Sequence, residues 1–194
     1  MDLAILTGDL VGSTGLPPDL VEAGFSAMTG LQGLGLAWFN RHRGDGWQMA
    51  LAQPAYDLRL ALMVRACLRA LDPRLETRIA IARGTGNIPE NGDLNRAQGP
   101  GFVASGRLLD QMTGAEIRHA SGGAWSAATC LADALSHGWT QKQAEAMCPM
   151  LALPAPPQQS VADQLGKSRQ AVAQALQGAG YSAISGALTL WEAP

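Results

Sequence analysis

The chain has 194 residues, 47% of them hydrophobic and 15% charged, with 14 basic groups against 16 acidic ones. That length suits one domain, or one domain with a small appendage, and the apolar content excludes predominant disorder. A net charge of −2 excludes any general attraction to nucleic acid or to a membrane surface. The basic groups are segregated: residues 1–139 carry eleven arginines and no lysine, and Lys142, Lys167 and Arg169 follow. Cys67, Cys130 and Cys148 are odd in number and lack metal-ligand spacing, which reads as reduced thiols in a cytoplasmic protein. Asp2 stands where a signal peptide would carry Lys or Arg, and no apolar run reaches membrane-spanning length.

In chain order, Leu3 to Leu6 is a short apolar run that reads as a buried strand. Gly8 and Gly12 read as turn glycines after it, which puts Asp9 where the strand gives way to a loop. Gly12, Ser13 and Thr14 then offer amide and hydroxyl groups ahead of a helix. A carboxylate beside such a loop suits a phosphate–magnesium site, in which the acid holds a hard cation and the loop amides meet the phosphate. An Asp-containing turn that merely ends a strand accounts for the stretch equally well. Pro17 and Pro18, with Asp19 and Glu22 in the first turn, begin a helix that is expected to run to about Gly33. Gly44-Asp45-Gly46, flanked by Trp38, Phe39 and Trp47, reads as a hairpin tip whose rings pack against the sheet.

Residues 54–71 repeat at helical spacing through Leu58, Leu62, Arg65 and Arg69, and stop before Pro73. Thr77 to Ala82 reads as a strand, 85–99 as an excursion loop, and Gly99 to about Met112 as a helix. Glu116 to Ala120 is a short strand, and 121–139 a helix of small residues. This order predicts an α+β, ferredoxin-like sandwich over 1–122, with helices on one face of a mainly antiparallel sheet. A helical connector, 123–139, joins it to a small all-α region, 140–194.

In that region Trp139 to Leu151 is helical with Thr140 as its cap, and Pro154, Pro156 and Pro157 form a break. Ala162, Gly166 and Val172 then have the spacing of a helix-turn-helix, with Ser168 capping its second helix. Val172, Ala175, Leu176 and Ala179 are expected to face inward, and Arg169, Gln170, Gln174 and Gln177 outward. Lys167, Ser168, Arg169, Gln170 and Gln174 are therefore the candidate DNA contacts. From Thr140 onward three basic groups meet three acidic ones, so a single copy is expected to bind DNA weakly, and a dimer better. A three-helix packing or dimerisation element is the alternative.

Four stretches taken in order carry a resemblance: Thr7-Gly-Asp-Leu-Val-Gly-Ser-Thr, Arg43-Gly-Asp-Gly-Trp-Gln-Met-Ala, Arg78-Ile-Ala-Ile-Ala-Arg-Gly, and Gly99 to Leu108. Together they make the first 120 residues resemble a class III nucleotide cyclase homology domain. The opening Thr-Gly-Asp-Leu-Val-Gly-Ser, the run Ser105 to Asp110 and the helical tail are similar to SatD-type bacterial proteins, which are small and cytoplasmic. The cyclase resemblance implies Mg²⁺ or Mn²⁺ at Asp9 and Asp45, a nucleoside triphosphate as ligand, a homodimer with a shared site, and Arg107 as the transition-state arginine. The chain departs from that pattern at three points. Val103 stands where the family has Asn, Pro100 replaces an acidic residue, and no lysine is available to read adenine. Losing one transition-state donor lowers a rate by roughly 100- to 1,000-fold. Two functions follow as expectations. One is a nucleotide- or metal-sensing domain coupled to a DNA-binding helix-turn-helix. The other is a divergent metal-dependent nucleotide cyclase or related enzyme. His42, His119 and His137 lack paired metal spacing and read as core or surface histidines.

Overall fold

In the computed structural model, which describes residues 1–31, 37–42 and 44–193, everything is arranged about β1 (Asp2–Leu10). Its neighbours are β3 (Gly46–Leu51) and β4 (Thr77–Thr85), both antiparallel to it. β2 (Ala37–His42) extends the sheet beyond β3, and β5 (Ile117–His119) lies parallel to β4, giving the order β2-β3-β1-β4-β5. With α1 (Pro18–Thr29) between β1 and β2, and α2 (Asp57–Leu71) between β3 and β4, the first four strands make the β-α-β-β-α-β unit of a ferredoxin-like sandwich. α1 stops at Thr29 with Gly30 as its C-cap, short of the expected end at Gly33, and Gly33 itself and Arg43 of the hairpin lie outside the described residues.

The expectation of helices on one face only is corrected. α1 and α2 pack on the side of β1 that presents Ala4, Leu6 and Leu10. The other side presents Leu3 and Ile5, which Ile88, Leu94 and Phe102 cover. Phe102 belongs to α3 (Pro100–Leu109), and Leu94 to the loop over 85–99. Burial on both faces explains why β1 begins as an unbroken apolar run instead of an alternating one.

Gly8 is a strand residue and not a turn residue. A Cβ there would stand 2.4 Å from Cζ2 of Trp47 and 2.5 Å from the carbonyl of Arg78. The glycine admits the buried indole of β3, whose Nε1 donates to Thr77 Oγ1. Gly12, at φ 67°, makes the left-handed turn, and a single turn of 3-10 helix, Ser13–Gly15, follows.

Beyond β5 come α4 (Gly123–His137), α5 (Gln141–Met150), α6 (Gln158–Leu165), α7 (Arg169–Gly178) and α8 (Tyr181–Trp191). A capping box between Thr140 and Gln143 starts α5. Gly166, left-handed at φ 61°, ends α6, and Ser168 caps α7 by accepting from the Ala171 amide. Val172, Leu176 and Ala179 face inward, whereas Arg169, Gln170, Gln174 and Gln177 are exposed. One apolar cluster runs without a break from Ala4 of β1 through α2 to Val172 and Leu188 of the tail. No described helix is long and apolar enough to cross a membrane.

The arginines of α2 join the two halves. Arg59 forms a fork with both oxygens of Glu192 and donates to the Leu151 carbonyl. Arg65 pairs with Asp133, and Arg69 with Glu76 and the carbonyls of His137 and Trp139. The reading of all three cysteines as reduced thiols is also corrected. Cys67 of α2 and Cys148 of α5 form a disulfide, with Cα atoms 5.3 Å apart, and Cys130 is free and exposed. The thiol argument for a cytoplasmic setting lapses with it.

Candidate functional site

Strand alternation sends Thr7 and Asp9 to the same side as Leu3 and Ile5, toward α3. Antiparallel pairing sets Asp9 opposite Gly46, so Asp45 of the β2–β3 turn stands beside it, its carbonyl accepting from the Leu10 amide at 3.2 Å. The two acids that the sequence nominated thus come to one end of the sheet. They share a cleft of about 430 Å³, which is also lined by Thr7, Gln48, Asn95 and Phe102. A second depression on the other side of Asp45 is lined by Ser13, Thr14 and Arg41. Ser13 Oγ donates to Asp45 Oδ2 at 2.5 Å, which ties the small-residue loop to the hairpin tip.

The polar floor of the cleft was not read from the sequence. Gln48 Nε2 donates to Thr7 Oγ1 at 3.1 Å, and the hydroxyls of Thr7 and Ser105 lie 2.8 Å apart. A signal existed for the first two: Thr7 stands two residues before Asp9, and Gln48 alternates with Trp47 and Met49. The loop over 85–99 forms one wall. Asn40 accepts from the Leu94 amide, and His42 shares a 2.8 Å hydrogen bond with Asn95.

Arg107 is placed differently. Phe102, Gly106 and Leu109 of α3 line the cleft, while Arg107 and Val103 are exposed on the outer side of the same helix. Within one chain, Arg107 is not brought to Asp9 and Asp45. Of the candidate DNA contacts, Lys167 is paired with Glu145 and Ser168 is committed to its cap. Arg169, Gln170 and Gln174 remain on the exposed side of α7.

The donor set does not fit a divalent cation in this arrangement. Oxygen ligands from two carboxylates are suitable chemistry for Mg²⁺ or Mn²⁺. Both oxygens of Asp9, however, accept from Arg78, at 2.7 Å from Nε and 2.8 Å from Nη2. One oxygen of Asp45 is held by Ser13. Among the described residues no three His, Cys, Asp or Glu side chains stand together as a metal group.

A second polar cluster, buried between the sheet and the tail, was also missed. Asp57 begins α2, is wholly buried, and accepts from Arg83, His119 and the indole N–H of Trp191. His119 Nδ1 accepts from the Ser121 amide, so Nε2 carries the proton and donates to Asp57. The Arg83 guanidinium lies 3.9 Å from the ring centroid of Trp125. Burial alone would raise the pKa of Asp57. Its hydrogen bonds from His119, Arg83 and Trp191 and the charge of Arg83 outweigh that and hold it below the ordinary carboxylate value.

No family model and no curated protein matches this chain. The solved structures that are similar to it include two nucleotide cyclases. The guanylyl cyclase Cya2 shares 21% identity at a TM-score of 0.48, over 63% of this chain and 79% of that one. The adenylyl cyclase CyaB from P. aeruginosa shares 18% at a TM-score of 0.47, over 61% and 76%.

Proposed function

We propose that the chain is a nucleotide-binding, cyclase-like sensor domain with a helical tail fixed to it. The triphosphate end of the ligand would lie along Gly12, Ser13 and Thr14, beside Asp45. The base and ribose would enter the cleft over Thr7 and Gln48. The observation that supports this most is the meeting of Asp9, Asp45 and the small-residue loop at one end of the sheet, above a cleft with a hydrogen-bonding floor. Sensing is preferred to turnover because Val103 has no donor and Arg107 is outside the cleft. A second copy, applied through the outer side of α3, is what would bring an Arg107 to the site. The divergent-enzyme reading therefore requires a homodimer, and no step is assigned to a divalent cation.

The SatD-type resemblance and DNA contact belong to the same proposal. They draw support from the Gly166 turn and the exposed Arg169, Gln170 and Gln174 of α7.

Calorimetry of the purified protein with each nucleoside triphosphate, with product analysis by mass spectrometry, tests the reading. Binding without product is expected. Asp45→Ala should weaken it about tenfold or more, through loss of the Ser13 anchor that fixes the phosphate loop. Absence of binding for all four nucleotides overturns the proposal, and turnover abolished by Asp45→Ala favours the enzyme.

A further inference from the structure

Arg78 is the residue that separates this cleft from a metal site. It lies directly across the β1–β4 pair from Asp9, and its fork covers both carboxylate oxygens. Its third nitrogen, Nη1, donates to the carbonyl of Met112, so strand pairing at one end and main chain at the other fix the guanidinium in place. Asp45 and Asp110 also act on its charge: hydrogen bonding to Asp9 raises the pKa of Arg78, and those two carboxylates add in the same direction against partial burial. One guanidinium thus neutralises Asp9 and is drawn by the charge of two further acids.

We propose that Arg78 is the resident cation of this site, so that a polyphosphate at the Gly12–Thr14 loop is bound without Mg²⁺ or Mn²⁺ and Asp9 acts as the anchor of Arg78 instead of a metal ligand. The inference rests on the nucleotide reading above for its ligand, but its metal arm stands apart from that reading. A guanidinium is permanently charged and makes planar two-point contacts, so Arg78 neutralises Asp9 at every metal concentration. Removing it would leave Asp9 open beside Asp45, which is the two-carboxylate set that Mg²⁺ or Mn²⁺ accepts.

The test measures Mn²⁺ binding by electron paramagnetic resonance for the wild type, Arg78→Gln, Arg78→Lys, and Asp9→Asn combined with Arg78→Gln, each checked for folding by circular dichroism. Arg78→Gln is expected to bind Mn²⁺ at least tenfold more tightly than the wild type, and the added Asp9→Asn should abolish that gain. Arg78→Lys keeps the charge without the fork and should fall between them, which keeps the test informative if Arg78→Gln does not fold. Wild-type binding of Mn²⁺ that equals Arg78→Gln overturns the proposal. In parallel, wild-type affinity for ATP and GTP is measured in EDTA and in Mn²⁺, and is expected to differ by less than about twofold. A large gain in Mn²⁺ also overturns it. If neither nucleotide binds in either buffer, the nucleotide reading fails while the Mn²⁺ comparison still decides the role of Arg78.

Discussion

Asp57 shows how a single side chain can hold two parts of this fold in register. It accepts from the Leu58 amide in the first turn of its own helix, takes a fork from Arg83 on β4, and receives the indole N–H of Trp191 from α8. Its pKa in the folded chain is below the ordinary 3.8, so its contribution to stability is present above about pH 4 and is lost as pH falls through the lowered value. Asp57→Asn should lower stability at pH 7 by about 3 kcal/mol, the cost of stranding a partner of a buried ion pair. It should also flatten the decline of the melting temperature as the pH falls below about 4. Denaturant unfolding and a thermal scan in that range measure both. The residues that the sequence did nominate, Asp9 and Asp45, were legible because glycines and an apolar run bracket them. Asp57 was not, since nothing around Asp57-Leu-Arg marks it as buried. Arg78 was seen as part of a strand, but its partner depends on the pairing register of β1 and β4, which no local pattern encodes.

Among the elements, α2 departs furthest from its sequence. Leu58, Leu62, Arg65 and Arg69 recur at helical spacing, and that pattern suits a helix with one wet side. In the fold, residues 57–68 are buried all round, because Arg59 and Arg65 point at acids and carbonyls from the tail instead of water. The strands, the hairpin and the capped helices of the tail were readable from turn glycines, caps and alternation. The second layer over β1 was not, because the loop over 85–99 carries few apolar residues and covers the sheet chiefly with Ile88 and Leu94. The disulfide between α2 and α5 closes a separation of 81 residues, and losing it should cost about 2–4 kcal/mol. Reduction should lower the denaturation midpoint accordingly. Alkylation of the native protein should label Cys130 alone, against three cysteines after reduction and unfolding.

On the scale of the molecule, the balance of charge decides what the tail can do. Each phosphate contact contributes about −0.9 to the slope of log K against log salt. Lys167 is spent on Glu145, so among the described residues Arg169 is the one member of the nominated set with charge to give. A dimer should therefore show a slope near −2 in fluorescence anisotropy with duplex DNA, and a slope of zero removes the DNA contact. The arginines of α2 carry another consequence for the whole chain. Arg59 is made early in synthesis, yet its carboxylate partner is Glu192, and Arg65 waits for Asp133. While the ribosome is still at work, the emerging sandwich holds cations whose counter-charges do not yet exist. A chain stopped short of residue 192 leaves Arg59 buried without its carboxylate, so the last residues made complete the charge balance of a helix laid down a third of the way through the sequence.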